Sequence, residues 1–119
     1  MDSNTPIQRY MPGSRLSRAV IYNGVIYFSG LVADDITADF ETQLNDILNK
    51  ATQTLQELGS DKSKLLTATI WLTDMQYFDA LNTIWEQWIA PGAPPARATV
   101  QAQLAKPGYL VEIMFTAAV

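Results

Sequence analysis

The sequence predicts an α+β fold, one mixed β-sheet with two helices packed on one face. Three observations lead there. Asn23-Gly24 sits between two runs rich in β-branched and aromatic residues, the signature of a β-hairpin. Two later stretches carry apolar residues at helical spacing, with a strand-like run between them. The last stretch, Tyr109 to Val119, is apolar on both faces, which marks a strand central in its sheet. Strands thus come in pairs at both ends of the chain, with helices alternating between them.

Taken in order, Pro6, Pro12 and Gly13 break up residues 1–17, and Ile7 to Met11 reads as a short edge strand. Arg18 to Tyr22 and Val25 to Ser29 are the hairpin strands. Ser29-Gly30 reads as a strand end, or as a place where a ligand approaches bare backbone. Leu31 to Asp39 is a loop whose acids Asp34, Asp35 and Asp39 suit helix capping better than a metal. The first helix runs from about Phe40 to Leu58, with Phe40, Leu44, Ile47, Leu48, Ala51, Leu55 and Leu58 on one face and Gly59 as its stop. Leu65 to Thr73 is a strand, with Leu66, Ala68, Ile70 and Leu72 on its apolar face and Trp71 on the other.

Asp74 caps a second helix, about Met75 to Ile89, which buries Tyr77, Phe78, Leu81, Ile84, Trp85, Trp88 and Ile89. Asn82 lies among these, placed for capping, packing or ligand contact. Pro91 to Pro95 ends the helix and keeps the chain extended. In Ala96 to Leu104, Arg97, Thr99, Gln101 and Gln103 form one face and Ala98, Val100, Ala102 and Leu104 the other. The polar row carries a single charge, which suits an interface or a cleft; with Trp71 it suggests that the uncovered sheet face meets another subunit. Ala105 to Gly108 is a turn.

Composition limits the function. The 119 residues, 48% hydrophobic, suffice for one domain spanning 1–119 with a packed core. A net charge of -4 without a basic run points away from nucleic acid. No apolar run approaches the ~20 residues of a membrane span, and Met1 to Pro6 lacks the pattern of a signal peptide, so the cytoplasm is the expected location. The chain holds no Cys and no His. That excludes the usual zinc sites, Cys nucleophiles and a Ser-His-Asp triad. There is no Gly-rich phosphate loop either. No metal or cofactor is called for, and any proton chemistry falls to Glu, Asp, Tyr, Lys or water.

Two charges stand where charge is expensive. Arg97 heads its alternating strand alone, and Glu112 interrupts an apolar run. An unpaired buried carboxylate is costly, so Glu112 belongs at a rim or in a site that needs it.

Ile26 to Gly30, Leu58-Gly59, Thr69 to Asp74, Leu81-Asn82, Pro95-Ala96-Arg97 and Val111-Glu112-Ile113 occur in order. Together they resemble the RidA (YjgF) family of imine and enamine deaminases, from about Ser14 to the C-terminus. The resemblance implies a chorismate-mutase-like fold, a homotrimer with its sheets turned inward, and sites in the clefts between subunits. It also implies that the final strand runs beside Leu65 to Thr73, where the residues alone suggest a hairpin of the last two strands.

The resemblance assigns Arg97 to the substrate carboxylate and Glu112 to water and proton handling. Gly30 and Thr99 match positions whose backbone lines the site, and Ser29 and Asn82 match positions around it. Leu16 stands where the family often has tyrosine, and Thr99 where it often has cysteine. The implied reaction is cofactor-independent hydrolysis of a 2-imino acid to a 2-keto acid and ammonia. The alternatives are a non-catalytic trimer binding small carboxylates or a protein partner, RNA cleavage, which the acidic balance disfavours, and a trimer in which Arg97 and Glu112 form ion pairs.

Overall fold

The structure, a computed structural model, describes residues 6–119; the irregular start expected over Met1–Thr5 lies outside the described residues. Asn23 and Gly24 both take positive φ, 51° and 77°, as a type I′ turn requires. They join β2 (Ser17–Tyr22) to β3 (Val25–Phe28), and β1 (Gln8–Pro12) pairs with β2 as an edge strand.

Helix α1 (Phe40–Glu57) follows, then β4 (Leu65–Leu72), α2 (Phe78–Trp88), β5 (Ala96–Gln101) and β6 (Val111–Ala118). One six-stranded sheet has the order β1-β2-β3-β6-β4-β5. Among the described residues only β4 and β5 run parallel; β6 lies between β3 and β4, antiparallel to both. The doubly apolar pattern of the last strand is therefore that of a central strand, and the last two strands do not form a hairpin.

Asp39 caps α1 by accepting from the Thr42 N–H at 2.9 Å, and Gly59 follows the helix at φ 77°. The predicted apolar stripe of α1 is buried from Phe40 to Leu55, together with Gln43 and Thr54, and its last member, Leu58, is the half-buried C-cap. The Met75–Tyr77 turn is a 3₁₀ turn capped by Asp74, so α2 begins three residues later than expected. Both helices cover the sheet face made by Ile26, Phe28, Ala68, Ile70, Leu72, Val111, Ile113 and Phe115. Phe115 stacks on Trp85 at 6.0 Å and meets the edge of Phe28 at 5.8 Å.

Two strand expectations are corrected. Leu65 is buried and Leu66 is 45% exposed, because the pairing with β6 shifts between Leu65 and Thr67; a bulge moves a side chain to the other face. β5 ends at Gln101, and Ala102 to Leu110 is a loop. Fully buried Gln43 holds that loop: its Nε2 donates to Ala38 O and Gly108 O, and its Oε1 accepts from Leu110 N, at 2.9–3.0 Å. Among the described residues no helix is long and apolar enough to cross a membrane.

Candidate functional site

Pro94 and Pro95 deliver the chain extended into β5, which is a sheet edge. Arg97 pairs with Ala68, and Thr99 with Ile70. Those β4 partners are buried against the helices, so Arg97 and Thr99 face α2. One Arg97 nitrogen donates to Asn82 Oδ1 at 2.8 Å. The guanidinium carbon lies 5.9 Å from the Phe78 ring centre and 5.6 Å from that of Trp85. Phe78, Asn82 and Trp85 are spaced i, i+4, i+7 and share one helix face. They hold the guanidinium by cation–π contact and one hydrogen bond.

Burial lowers the Arg97 pKa, with Glu86 acting in the opposite sense, but a guanidinium stays charged. The remaining donors of its planar fork suit a carboxylate. The Thr99 hydroxyl is buried and has no hydrogen-bond partner among the described residues.

This geometry corrects one expectation. The polar row led by Arg97 does not share the uncovered sheet face with Trp71. The residues of β5 on that face are Ala96, Ala98 and Val100, and Val100 is 46% exposed. Around them lie exposed Tyr27 and Met114 and half-buried Trp71.

Glu112 is on that uncovered face, opposite Trp71 in the β4–β6 register. Its side chain folds over Gly30: a Cβ placed on Gly30 would fall 2.0 Å from Glu112 Oε2. Gly30 is held there because Leu31 exchanges both backbone hydrogen bonds with Ile113, at 2.8 and 3.1 Å. Burial raises the Glu112 carboxyl above its ordinary pKa of 4.5. Ser29 donates through both N–H and Oγ to Arg18 O, at 2.9 and 3.1 Å, which anchors the strand end. Leu16 is 63% exposed and lines a pocket of about 290 Å³ with Ser29, Gly30, Lys50 and Tyr109.

The predicted residues therefore form two groups. Leu16, Ser29 and Gly30 line one pocket, with Glu112 folded over Gly30; Arg97, Asn82 and Thr99 lie at the β5 edge and α2. Within one chain, Arg97 and Glu112 project from opposite faces of the sheet.

The loop acids have local partners. Asp34 pairs with Lys50 at 2.7 Å, and this hydrogen bond and charge lower its pKa. Asp35 accepts from Thr37, and Asp39 caps α1. Among the described residues no group of three or more His, Cys, Asp or Glu is placed to hold a metal ion.

Sequence reading missed Lys50 and Tyr109 in the pocket, and took Phe78 and Trp85 for core alone. The i, i+4, i+7 spacing of Phe78, Asn82 and Trp85 was a visible signal that one helix face mixes aromatic and amide groups.

Residues 6–119 match the family model described as endoribonuclease L-PSP. A RutC family protein of Haemophilus influenzae is 41% identical over 112 residues, 93% of this chain and 97% of the relative. The chain belongs to the RidA (YjgF) family.

Solved structures agree. A YjgF-family protein of Neisseria meningitidis, NMB1025, superposes with TM-score 0.91 at 39% identity, covering 96% of this chain and 95% of that one. An uncharacterized protein of Pseudomonas aeruginosa gives TM-score 0.92 at 33% identity, covering 95% and 98%. The α+β sheet with two helices is thus the fold of RidA-family proteins, as the ordered motifs implied.

Proposed function

We propose that this RidA-family protein hydrolyses reactive 2-imino acids, and their enamine tautomers, to 2-keto acids and ammonia without a cofactor. The observation that carries the reading is the Glu112 carboxyl, half buried against bare Gly30 backbone and raised in pKa by that burial. Such a carboxyl keeps its proton to higher pH than an exposed one, which suits general acid–base work. Arg97, oriented by Asn82 and two aromatic rings, is the carboxylate clamp.

In the proposed reaction the substrate carboxylate lies on Arg97. Water adds to the protonated imine carbon and gives one proton to Glu112, forming a carbinolamine. Glu112 returns that proton to the nitrogen. The C–N bond breaks, the hydroxyl becomes the keto group as its proton leaves to solvent, and ammonia departs. A protonated imine is electrophilic enough that no covalent nucleophile is needed.

Because Arg97 and Glu112 leave opposite sheet faces, the proposal includes a homotrimer whose clefts bring Arg97 of one chain to Glu112 of another. Open apolar side chains at Tyr27, Val100 and Met114 support burial of that face.

The test generates a 2-imino acid with an amino acid oxidase and follows keto acid and ammonia with and without the protein. Acceleration is expected; equal rates would remove the deaminase reading. The rival is a carboxylate-binding trimer without turnover, favoured by aliphatic Leu16 at the pocket rim. It predicts calorimetric binding of a small keto acid with no change in imine lifetime. RNA cleavage, carried by the name of the family model, is opposed by the net charge of -4 and the absence of His.

A further inference from the structure

We propose that Trp71 is a positioning residue for Glu112, its indole forming the apolar wall that keeps water from one side of the carboxyl. Trp71 and Glu112 are direct partners in the antiparallel β4–β6 register. Both lie on the sheet face away from the helices, because Ile70 and Leu72 on one strand and Val111 and Ile113 on the other are buried beneath them. Directly opposed side chains have Cβ atoms ~4.5–5.5 Å apart, within reach of an indole. On its other flank Glu112 lies against Gly30, which offers only backbone. On this proposal the carboxyl, seated over the Gly30 backbone on one flank, has the largest side chain of the open face on its other flank.

Within one chain nothing charged enters that slot from the strands beside it; in the proposed trimer the charge that reaches Glu112 is the neighbouring chain's Arg97. On β4, Thr69 lies opposite Met114 and Thr67 opposite Thr116; on β5, Val100 lies beside Trp71. The titratable side chain on β3 is Tyr27, opposite Thr116 and well along the strand from Glu112. Arg18, on β2, lines the pocket that also holds Ser29, Gly30 and Asp34, and it adds a small lowering effect on the Asp34 carboxyl. Burial is the cause of the raised Glu112 pKa, so the groups that exclude water set it. Gly30 and its loop are one such group; the proposal makes the cross-strand tryptophan another.

The inference rests on Glu112 as the proton carrier, but its test does not need turnover. Protein labelled with ¹³C-glutamate is titrated by NMR, and the Glu112 carboxyl signal is assigned by its loss in Glu112→Gln. Trp71→Phe keeps an aromatic wall and should titrate as the parent does. Trp71→Thr places a small hydroxyl among the threonines already on that face, and Glu112 should then titrate at lower pH. Should Trp71→Thr fail to fold, Trp71→Val reads the same quantity with another strand-forming residue. The limb of the kcat–pH profile that follows Glu112 should move in step. A carboxyl that titrates identically in the parent and in the small-side-chain variant would overturn the inference. If the imine assay fails while the titration still follows residue 71, the deaminase reading is lost and the role of Trp71 stands.

Discussion

A Cβ built on Gly30 would lie 2.0 Å from Oε2 of Glu112, 2.9 Å from its Cδ and 3.3 Å from its Cγ. The Glu112 side chain occupies the place where any other residue at position 30 would put its own first carbon. Gly30→Ala should therefore fold, because the displaced group is the end of a flexible side chain, but with Glu112 pushed off its seat. Turnover of a 2-imino acid should fall by about 10²-fold or more, the range of a lost general acid–base group. The melting temperature should change little. Full activity in Gly30→Ala would show that the seated carboxyl is not the working one.

Glu112 also predicts a pH dependence of stability. Its folded pKa lies above the ordinary 4.5 because burial disfavours the charged form. The stability linked to this group is present below 4.5 and is lost as pH rises through the folded value. Glu112→Gln removes that loss. The variant should melt above the parent at pH 8, and the gap should close as pH falls to 4. A constant gap across this range would mean that Glu112 titrates no differently in the folded and unfolded chains.

Much of this was legible in the residues, and what was not has a physical reason. Asn23-Gly24 fixes its turn because few other pairs accept two positive φ values. The α1 stripe is long enough that its period cannot be mistaken. The central place of β6 shows in its doubly apolar pattern. Alternation along β5 separates Arg97 from Ala98, but it does not say which face the helices cover, and an edge strand with few large apolar residues gives no second signal. Leu66 was misplaced because a bulge resets the alternation. Gln43 reads as solvent-facing by residue type, and its burial depends on three backbone partners, two of them in a loop 65 and 67 residues away.

Gln43 therefore makes a stability prediction. Gln43→Leu keeps an apolar body in the core but leaves Ala38 O, Gly108 O and Leu110 N without their side-chain partners. A buried polar group left unpaired costs about 1–3 kcal/mol, and solvent can reach Gly108 and recover part of it. Denaturant unfolding should show a loss of about 1–3 kcal/mol with the m-value unchanged. Unchanged stability would mean that the loop before β6 is held by its packing alone.

Arg97→Lys keeps the charge and loses the fork. A charge-assisted hydrogen bond contributes about 1.5–3 kcal/mol, so kcat/KM for a 2-imino acid should drop at least about tenfold, and more for Arg97→Ala. Keto acid inhibitors should weaken in parallel, and Asn82→Ala should give a smaller loss because the guanidinium remains between Phe78 and Trp85. Arg97→Ala should also lower stability by about 0.5–1 kcal/mol through the lost ring contacts. Pyruvate bound as tightly by Arg97→Ala as by the parent, in calorimetry, would remove the carboxylate clamp.

The opposite projection of Arg97 and Glu112 from one sheet predicts complementation between two inactive variants. Arg97→Ala keeps Glu112, and Glu112→Gln keeps Arg97. If each site takes Arg97 from one chain and Glu112 from its neighbour, mixed oligomers rebuild intact sites. Random mixing of equal amounts then restores roughly a quarter of them, by the statistics of a closed ring with one such contact per interface. If both residues of a site come from the same chain, no mixture contains an intact site, whatever the oligomer. The experiment unfolds and refolds the variants separately and together and measures 2-keto acid formation, with light scattering on the same samples. Activity that appears only after co-refolding, in particles of trimer mass, is the expected outcome. Monomers in solution, or trimers that stay inactive after mixing while parent chains refolded alongside recover activity, would rule out a site shared between chains.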